Sequence, residues 1–318
     1  MSLIEQAAKR LEELRRAGAE LPEAAATGTS DGAAALATPT PEAVVRALET
    51  APPGIVHERA MRAPHGRIEL PMPGKPPATR VEIDLARLKQ LGYVTPETSK
   101  SQIADEFRVI KRPILRNAVG SKTRNGNLVM VTSALPGEGK TFTAVNLAMS
   151  VAMEYDNTVL LVDGDVAHPA LPELLGVPQG PGLLDLLTSD DVDVGDALVK
   201  TNVEKLSVLP AGSRHRRATE LLASEQMASL LRELASRYSD RIIIFDSPPL
   251  LATTEARVLA THMGQIVMVV AADATSQHQV NQALATIESC EIVMMMLNKA
   301  SQTDVGAYYG YYVDDPAR

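Results

Sequence analysis

The chain has 318 residues, 45% of them hydrophobic, which is enough to build one large or two medium domains. A formal net charge of −8 excludes broad binding to nucleic acid or anionic membranes, because neutralising phosphates takes clustered Lys and Arg. A single cysteine, Cys290, excludes an intrachain disulfide, and the longest apolar run, Ile266 to Ala272, is too short to span a bilayer, so a soluble cytoplasmic chain is expected.

Residues 1–17 read as an amphipathic helix: Leu3, Ile4, Ala7, Ala8, Leu11 and Leu14 recur at helical spacing among charged residues. Isolated helices this short are marginal in water, so the apolar stripe is expected to dock, either on a partner or on its own domain. Residues 18–78 are rich in Ala, Pro, Gly and Thr and carry few large apolar side chains. Such a stretch buries too little surface to offset its ordering entropy, and reads as a mostly disordered linker with a short helix around Pro41 to Thr50. Order returns near Val81, so a folded domain is expected over residues 79–300. Its first helical pattern, Ser101 to Arg116, sets Ile103, Phe107, Ile110 and Ile114 beside a charged ridge of Asp105, Arg108 and Lys111 (or Arg112). That ridge is either a solvated face or a surface that pairs with another subunit.

Leu128 to Thr141 reads LVMVTSALPGEGKT, an apolar strand running into a Gly-rich turn, with a helical pattern from Phe142 to Tyr155 behind it. This order places backbone N–H groups and a helix N-terminus around a phosphate, with Lys140 reaching the β- and γ-phosphates and Thr141 set for Mg²⁺. Ala134 stands where the first Gly of the usual pattern belongs, whereas Gly137 and Gly139 keep the turn flexible. Pro136, Gly137, Glu138, Gly139, Lys140, Thr141, Phe142 and Asn298 are the expected nucleotide-binding residues.

Further strands are expected at Thr158 to Asp163, Leu206 to Pro210, Arg241 to Asp246, Gln265 to Ala271 and Glu291 to Leu297, with helices over Thr219 to Tyr238 and Ser276 to Ser289. Continuous apolar strands alternating with helices predict an α/β fold: a mostly parallel sheet covered on both faces, binding its ligand at the carboxyl ends of the strands. Two strands end in acid at that edge, in Asp163-Gly-Asp165 and in Asp246-Ser-Pro-Pro249. Mg²⁺ takes one or two carboxylates plus phosphate oxygens, so Asp246 and one of Asp163 and Asp165 suffice for the metal and the other is free to act as a base.

Two resemblances follow from these motifs. A second acidic motif after the strand that follows the phosphate loop is also found in chromosome-partitioning and division-site ATPases, but their loop carries an extra lysine ahead of the glycines, and here Leu135, Pro136 and Gly137 hold the matching positions. The run from Ala134 to Thr141 instead resembles the P-loop of the bacterial protein tyrosine kinases (BY-kinases) of exopolysaccharide synthesis. Asp105-x-x-Arg108-x-x-Lys111 is similar to their E-x-x-R-x-x-R oligomerisation motif, Asp163-Gly-Asp165 to their second Walker motif, Asp246-Ser-Pro-Pro249 to their Walker B form, and Tyr308, Tyr309, Tyr311 and Tyr312 in the tail over 301–318 to their C-terminal tyrosine cluster. Within that family the chain looks most like the cytoplasmic autokinase branch associated with exosortase gene clusters.

The resemblance implies a P-loop NTPase fold, ATP and Mg²⁺ as cofactors, Lys140, Asp163, Asp165 and Asp246 as the catalytic set, and Mg²⁺ held by Thr141, Asp165 and Asp246, with Asp163 as base. It further implies autophosphorylation of the tail, a homo-oligomer, a membrane chain-length or polysaccharide co-polymerase protein as partner, and a cognate tyrosine phosphatase. That partner would recruit the chain to the inner face of the plasma membrane. A nucleotide-switched partitioning-type ATPase without kinase activity is the alternative. The basic run Arg214-His-Arg-Arg217 replaces an Asn-Pro that many BY-kinases carry ahead of Glu-Leu-Leu, and reads either as a guide for an acidic tail or nucleotide phosphate or as a solvated loop.

Overall fold

The computed structural model describes residues 79–119, 125–237 and 240–300. The helix expected over 1–17, the linker over 18–78 and the tail over 301–318, with Tyr308, Tyr309, Tyr311 and Tyr312, lie outside the described residues. Within them, β1 (Arg80–Val81), β2 (Leu128–Ser133), β3 (Thr158–Asp163), β4 (Val199–Thr201), β5 (Leu206–Leu209), β6 (Arg241–Asp246), β7 (Gln265–Ala271) and β8 (Val293–Asn298) form one sheet. Its spatial order is β1-β4-β5-β3-β6-β2-β7-β8, and each pair is parallel except β4 with β5.

Side chains alternate along the strands and divide the core in two. On one face Leu128, Met130, Leu160, Val162, Ile243 and Phe245 pack with Met227, Leu231 and Leu234 of α8 (Glu225–Arg237) and Leu259 of α9 (Thr254–Ala260). On the other, Val129, Val131, Leu161 and Ile244 pack with Phe107 and Ile114 of α2 (Gln102–Val119) and with α3 (Lys140–Ala152). From Thr143 to Ala152 every residue of α3 is buried, which is why that stretch is apolar almost all round rather than on one stripe. The expected α/β architecture is present.

Several element limits differ from expectation for local reasons. The helix expected over Thr219 to Tyr238 is two, α7 (Ala218–Leu222) and α8, because Ser224 Oγ accepts from Met227 N at 3.2 Å and starts a new helix. The second expected helix is α10 (Gln277–Leu284), shorter than Ser276 to Ser289, with Ser276 and Gln279 forming its capping box. The edge strand β1 and its neighbour β4 are too short to show a period, and the sequence did not reveal them. Among the described residues no helix is long and apolar enough to cross a membrane.

The charged ridge of α2 needs correction. Three-residue steps drift by about 60° each around a helix of 3.6 residues per turn, so Lys111 lies about 120° from Asp105. Lys111 is buried, its Nζ donating to the Ser150 carbonyl at 2.6 Å and pairing with Glu154 Oε1 at 2.7 Å, which ties α2 to the end of α3. Asp105 and Arg108 remain outside as a pair, Arg108 also reaching the Ser99 carbonyl, and the exposed residue in line with them is Arg112. Lys111→Met should therefore lower stability by about 1–3 kcal/mol, by removing a charged donor from a buried carbonyl and a carboxylate. A fall of several degrees in thermal midpoint without change in oligomer mass checks this.

Candidate active site

Parallel register builds the site. Asp163 and Asp246 are Cα partners at the carboxyl ends of β3 and β6, and Asp246 is also level with Val131 on β2, just before the chain enters the phosphate loop. The chain turns there through Gly137 (φ +79°) and Gly139 (φ +102°), a conformation that L side chains rarely adopt. Ala134 is fully buried in the core face that includes α8 and α9, so the residue in place of the first Gly packs without strain. Gly139 caps α3 directly ahead of Lys140. A Cβ at Gly164 would lie 2.9 Å from the Asp246 carbonyl, which accepts from Gly164 N at 2.7 Å. Only a glycine between Asp163 and Asp165 permits that approach.

The three carboxylates share a largely desolvated space. Asp163 is fully buried, with Oδ2 accepting from Leu171 N at 3.1 Å and Oδ1 lacking any hydrogen bond. Burial first, then the charge of Asp246, pushes its carboxyl up to about 8. Burial likewise raises Asp246 to about 7, opposed by the Thr141 hydroxyl and by Lys140, and its Oδ1 also has no partner. Asp165, held through Oδ1 by His168 N at 3.1 Å, is raised by burial too. Lys140 is pulled down by burial and pushed back up by Asp246, Asp165 and Glu138. Burial and mutual repulsion disfavour three negative charges in the cluster, with Lys140 as the nearby cation. Two buried carboxylate oxygens without donors, beside a glycine-rich turn exposed at Pro136 and Gly137, fit a divalent cation with its phosphates. Lys140, Thr141, Asp163, Asp165 and Asp246 are thus brought together.

Other expected nucleotide ligands have different occupations. The Glu138 side chain is buried, Oε2 accepting from Leu135 N at 2.5 Å and Oε1 from Ala271 N at 3.2 Å and from the Thr275 hydroxyl. It is a strut between the loop and the end of β7, and leaves only its backbone N–H for phosphate. The Phe142 ring packs against Tyr93 and Phe107, at 5.0 and 6.5 Å between centroids. Asn298 Nδ2 donates to the Glu138 carbonyl at 2.8 Å, and a Cβ on Gly139 would collide with it.

Sequence reasoning missed two neighbours of this site. Lys299 Nζ donates to the Gly137 carbonyl at 2.7 Å, a second brace from the end of β8, and its only sequence signal is adjacency to Asn298. Tyr93, from the turn after α1 (Leu85–Gln90), has its hydroxyl pKa raised by burial and by Asp246. No local pattern in the sequence places Tyr93 beside a loop some forty residues later.

The chain is similar to several known proteins over the described domain. The family described as an AAA domain matches residues 127–299. Tyrosine-protein kinase YwqD of Bacillus subtilis is 30% identical over 224 residues, which span 70% of this chain and 92% of that protein. The succinoglycan biosynthesis transport protein ExoP of Rhizobium meliloti is 27% identical over 71% of this chain but only 28% of its own length. Among solved structures, the chimerical protein CapA2B2 superposes with a TM-score of 0.58 at 28% identity, covering 68% of this chain and 99% of that one.

Proposed function

Because the chain belongs to the bacterial tyrosine-protein kinase family, we propose that it transfers the γ-phosphoryl group of ATP to Tyr308, Tyr309, Tyr311 and Tyr312 of a second copy of itself. The observation that carries this reading is the level pairing of Asp163 and Asp246 beside Lys140, with an unpartnered oxygen on each carboxylate. In the proposed mechanism the loop N–H groups and Lys140 hold the β- and γ-phosphates in line with the acceptor. Thr141, Asp165 and Asp246 are the residues that would hold Mg²⁺, which when bound offsets charge on the phosphate oxygens. As the tyrosine oxygen bonds to the γ-phosphorus and the bond to the β-phosphate oxygen breaks, Asp163 takes the phenolic proton. A base with a pKa near the operating pH suits that task.

Tyr308 lies eleven residues after Leu297, a reach of about 36–40 Å when extended. Such a tail reaches its own site or a neighbour's, and an assembly favours the neighbour. We assign the contact between copies to Asp105, Arg108 and Arg112, in place of the buried Lys111. Arg108→Glu should reduce the assembled mass in light scattering, since like charges would repeat around every contact although one exposed pair contributes only about 0–1 kcal/mol. Unchanged mass removes the ridge from the interface.

We place the activity in control of exopolysaccharide export. The name of the ExoP relative supports this, as does the loop chemistry that sets the chain apart from partitioning ATPases. A membrane co-polymerase protein would recruit the chain to the inner face of the plasma membrane, and a tyrosine phosphatase would reset the tail.

The test mixes Lys140→Met protein bearing the native tail with an active chain whose four tail tyrosines are Phe. Phosphotyrosine on the inactive chain is the expected result. Label confined to the four-Phe chain would remove the tail from the reaction, and released phosphate without label would favour a nucleotide-switched ATPase.

A further inference from the structure

The basic run after β5 has no role in the chemistry above, yet it is held at the edge of the site. Leu209 is level with Val162, the residue before Asp163, and five residues later the chain reaches Arg214. Both ends of this connection are fixed. Leu183 N donates to the Pro210 carbonyl at 2.8 Å, and Ser213 N donates to Asp185 Oδ2 at 2.9 Å around Gly212 (φ +84°). Beyond the run, Thr219 Oγ1 donates to Glu255 Oε1 at 2.6 Å, and Glu255 is close enough to Asp165 to raise its carboxyl.

Between these anchors Arg214, His215, Arg216 and Arg217 are all exposed, and none of the three guanidinium groups is ion-paired among the described residues. In a chain of net charge −8, three unpaired arginines within four positions of a pinned loop form a local field of opposite sign.

We infer that Arg214, Arg216 and Arg217 form the docking surface for the acidic end of the C-terminal tail of a second copy, holding Asp314 and Asp315 while a tail tyrosine enters the site. The inference rests on the tail being the acceptor. Its dimensions agree: Asp314 and Asp315 follow Tyr312 by two and three residues and Tyr308 by six and seven, or about 7–25 Å of extended chain. Five residues from Leu209 to Arg214 reach at most about 18 Å from the same sheet edge. Guanidinium groups suit the partner because they pair bidentately with carboxylates and equally with phosphate.

The experiment reads binding rather than transfer. Full-length Lys140→Met protein is titrated against a fluorescent peptide of residues 302–318 in a salt series, alone and with Arg214→Glu, Arg216→Glu and Arg217→Glu together. The reversal should weaken binding at least tenfold, three changes to Gln should give an intermediate loss, and a peptide carrying Asp314→Lys and Asp315→Lys should regain affinity for the reversed protein. Equal affinity of the wild-type peptide for both proteins overturns the inference. So does absence of binding to the unreversed protein, or a loss confined to ATP affinity, which would give the run to the nucleotide. A peptide that binds through the run in a chain whose tail is never labelled would sink the acceptor assignment and leave the docking surface standing.

Discussion

Lys140→Met should lower tyrosine transfer by about three orders of magnitude or more, about 4 kcal/mol in the barrier, with the fold unchanged. No side-chain hydrogen bond holds the Lys140 ammonium among the described residues, and burial already disfavours its charge, so its removal breaks no hydrogen bond of the fold. Its replacement takes away the nearest positive charge from a space holding three carboxylates, and phosphoryl transfer depends almost wholly on positioning and charge stabilisation. Initial rates of tail phosphorylation beside a thermal melt separate the two effects. A variant that folds and labels as well as wild type places the chemistry elsewhere.

Asp163→Asn should lose transfer by about 10²–10⁴-fold while keeping ATP affinity within a few-fold, and should make the nucleotide-free protein more stable. The stability effect follows from the raised carboxyl. Folded Asp163 releases its proton only near pH 8, whereas in the unfolded chain it does so near pH 4. Between those values the folded state carries a proton that the unfolded state has given up, so stability is fully present below about pH 4 and falls as pH rises towards 8. Asparagine keeps an oxygen for Leu171 N and cannot ionise. At pH 8, without metal or nucleotide, the variant should gain up to about 5 kcal/mol, from a separation of about four pH units at about 1.4 kcal/mol each, read as a rise of several degrees in thermal midpoint, and the gain should shrink towards pH 5. If ATP affinity and Mg²⁺ dependence collapse together instead, Asp163 belongs to the metal and the base must be sought in Asp165.

The sequence by itself determined the strand that enters the phosphate loop, the glycines of its turn, the parallel sheet and the acids at its edge. These are local consequences of side-chain period, backbone freedom and chain order. The placement of Lys140, Thr141, Asp163, Asp165 and Asp246 at one sheet edge was legible because each ends or closely follows a strand, or opens a helix, in a pattern of a few residues. The roles of Glu138, Phe142 and Lys111 were not. Each faces away from the expected partner into contacts made by distant parts of the chain, and a three-residue step hides the drift that turned Lys111 inwards. Tertiary structure alone decided that Asp163 and Asp246 stand level on adjacent strands, because register between β3 and β6 is set by packing across about eighty intervening residues. It alone decided how far burial raises those carboxyls, since desolvation depends on what covers a group and not on its neighbours in sequence.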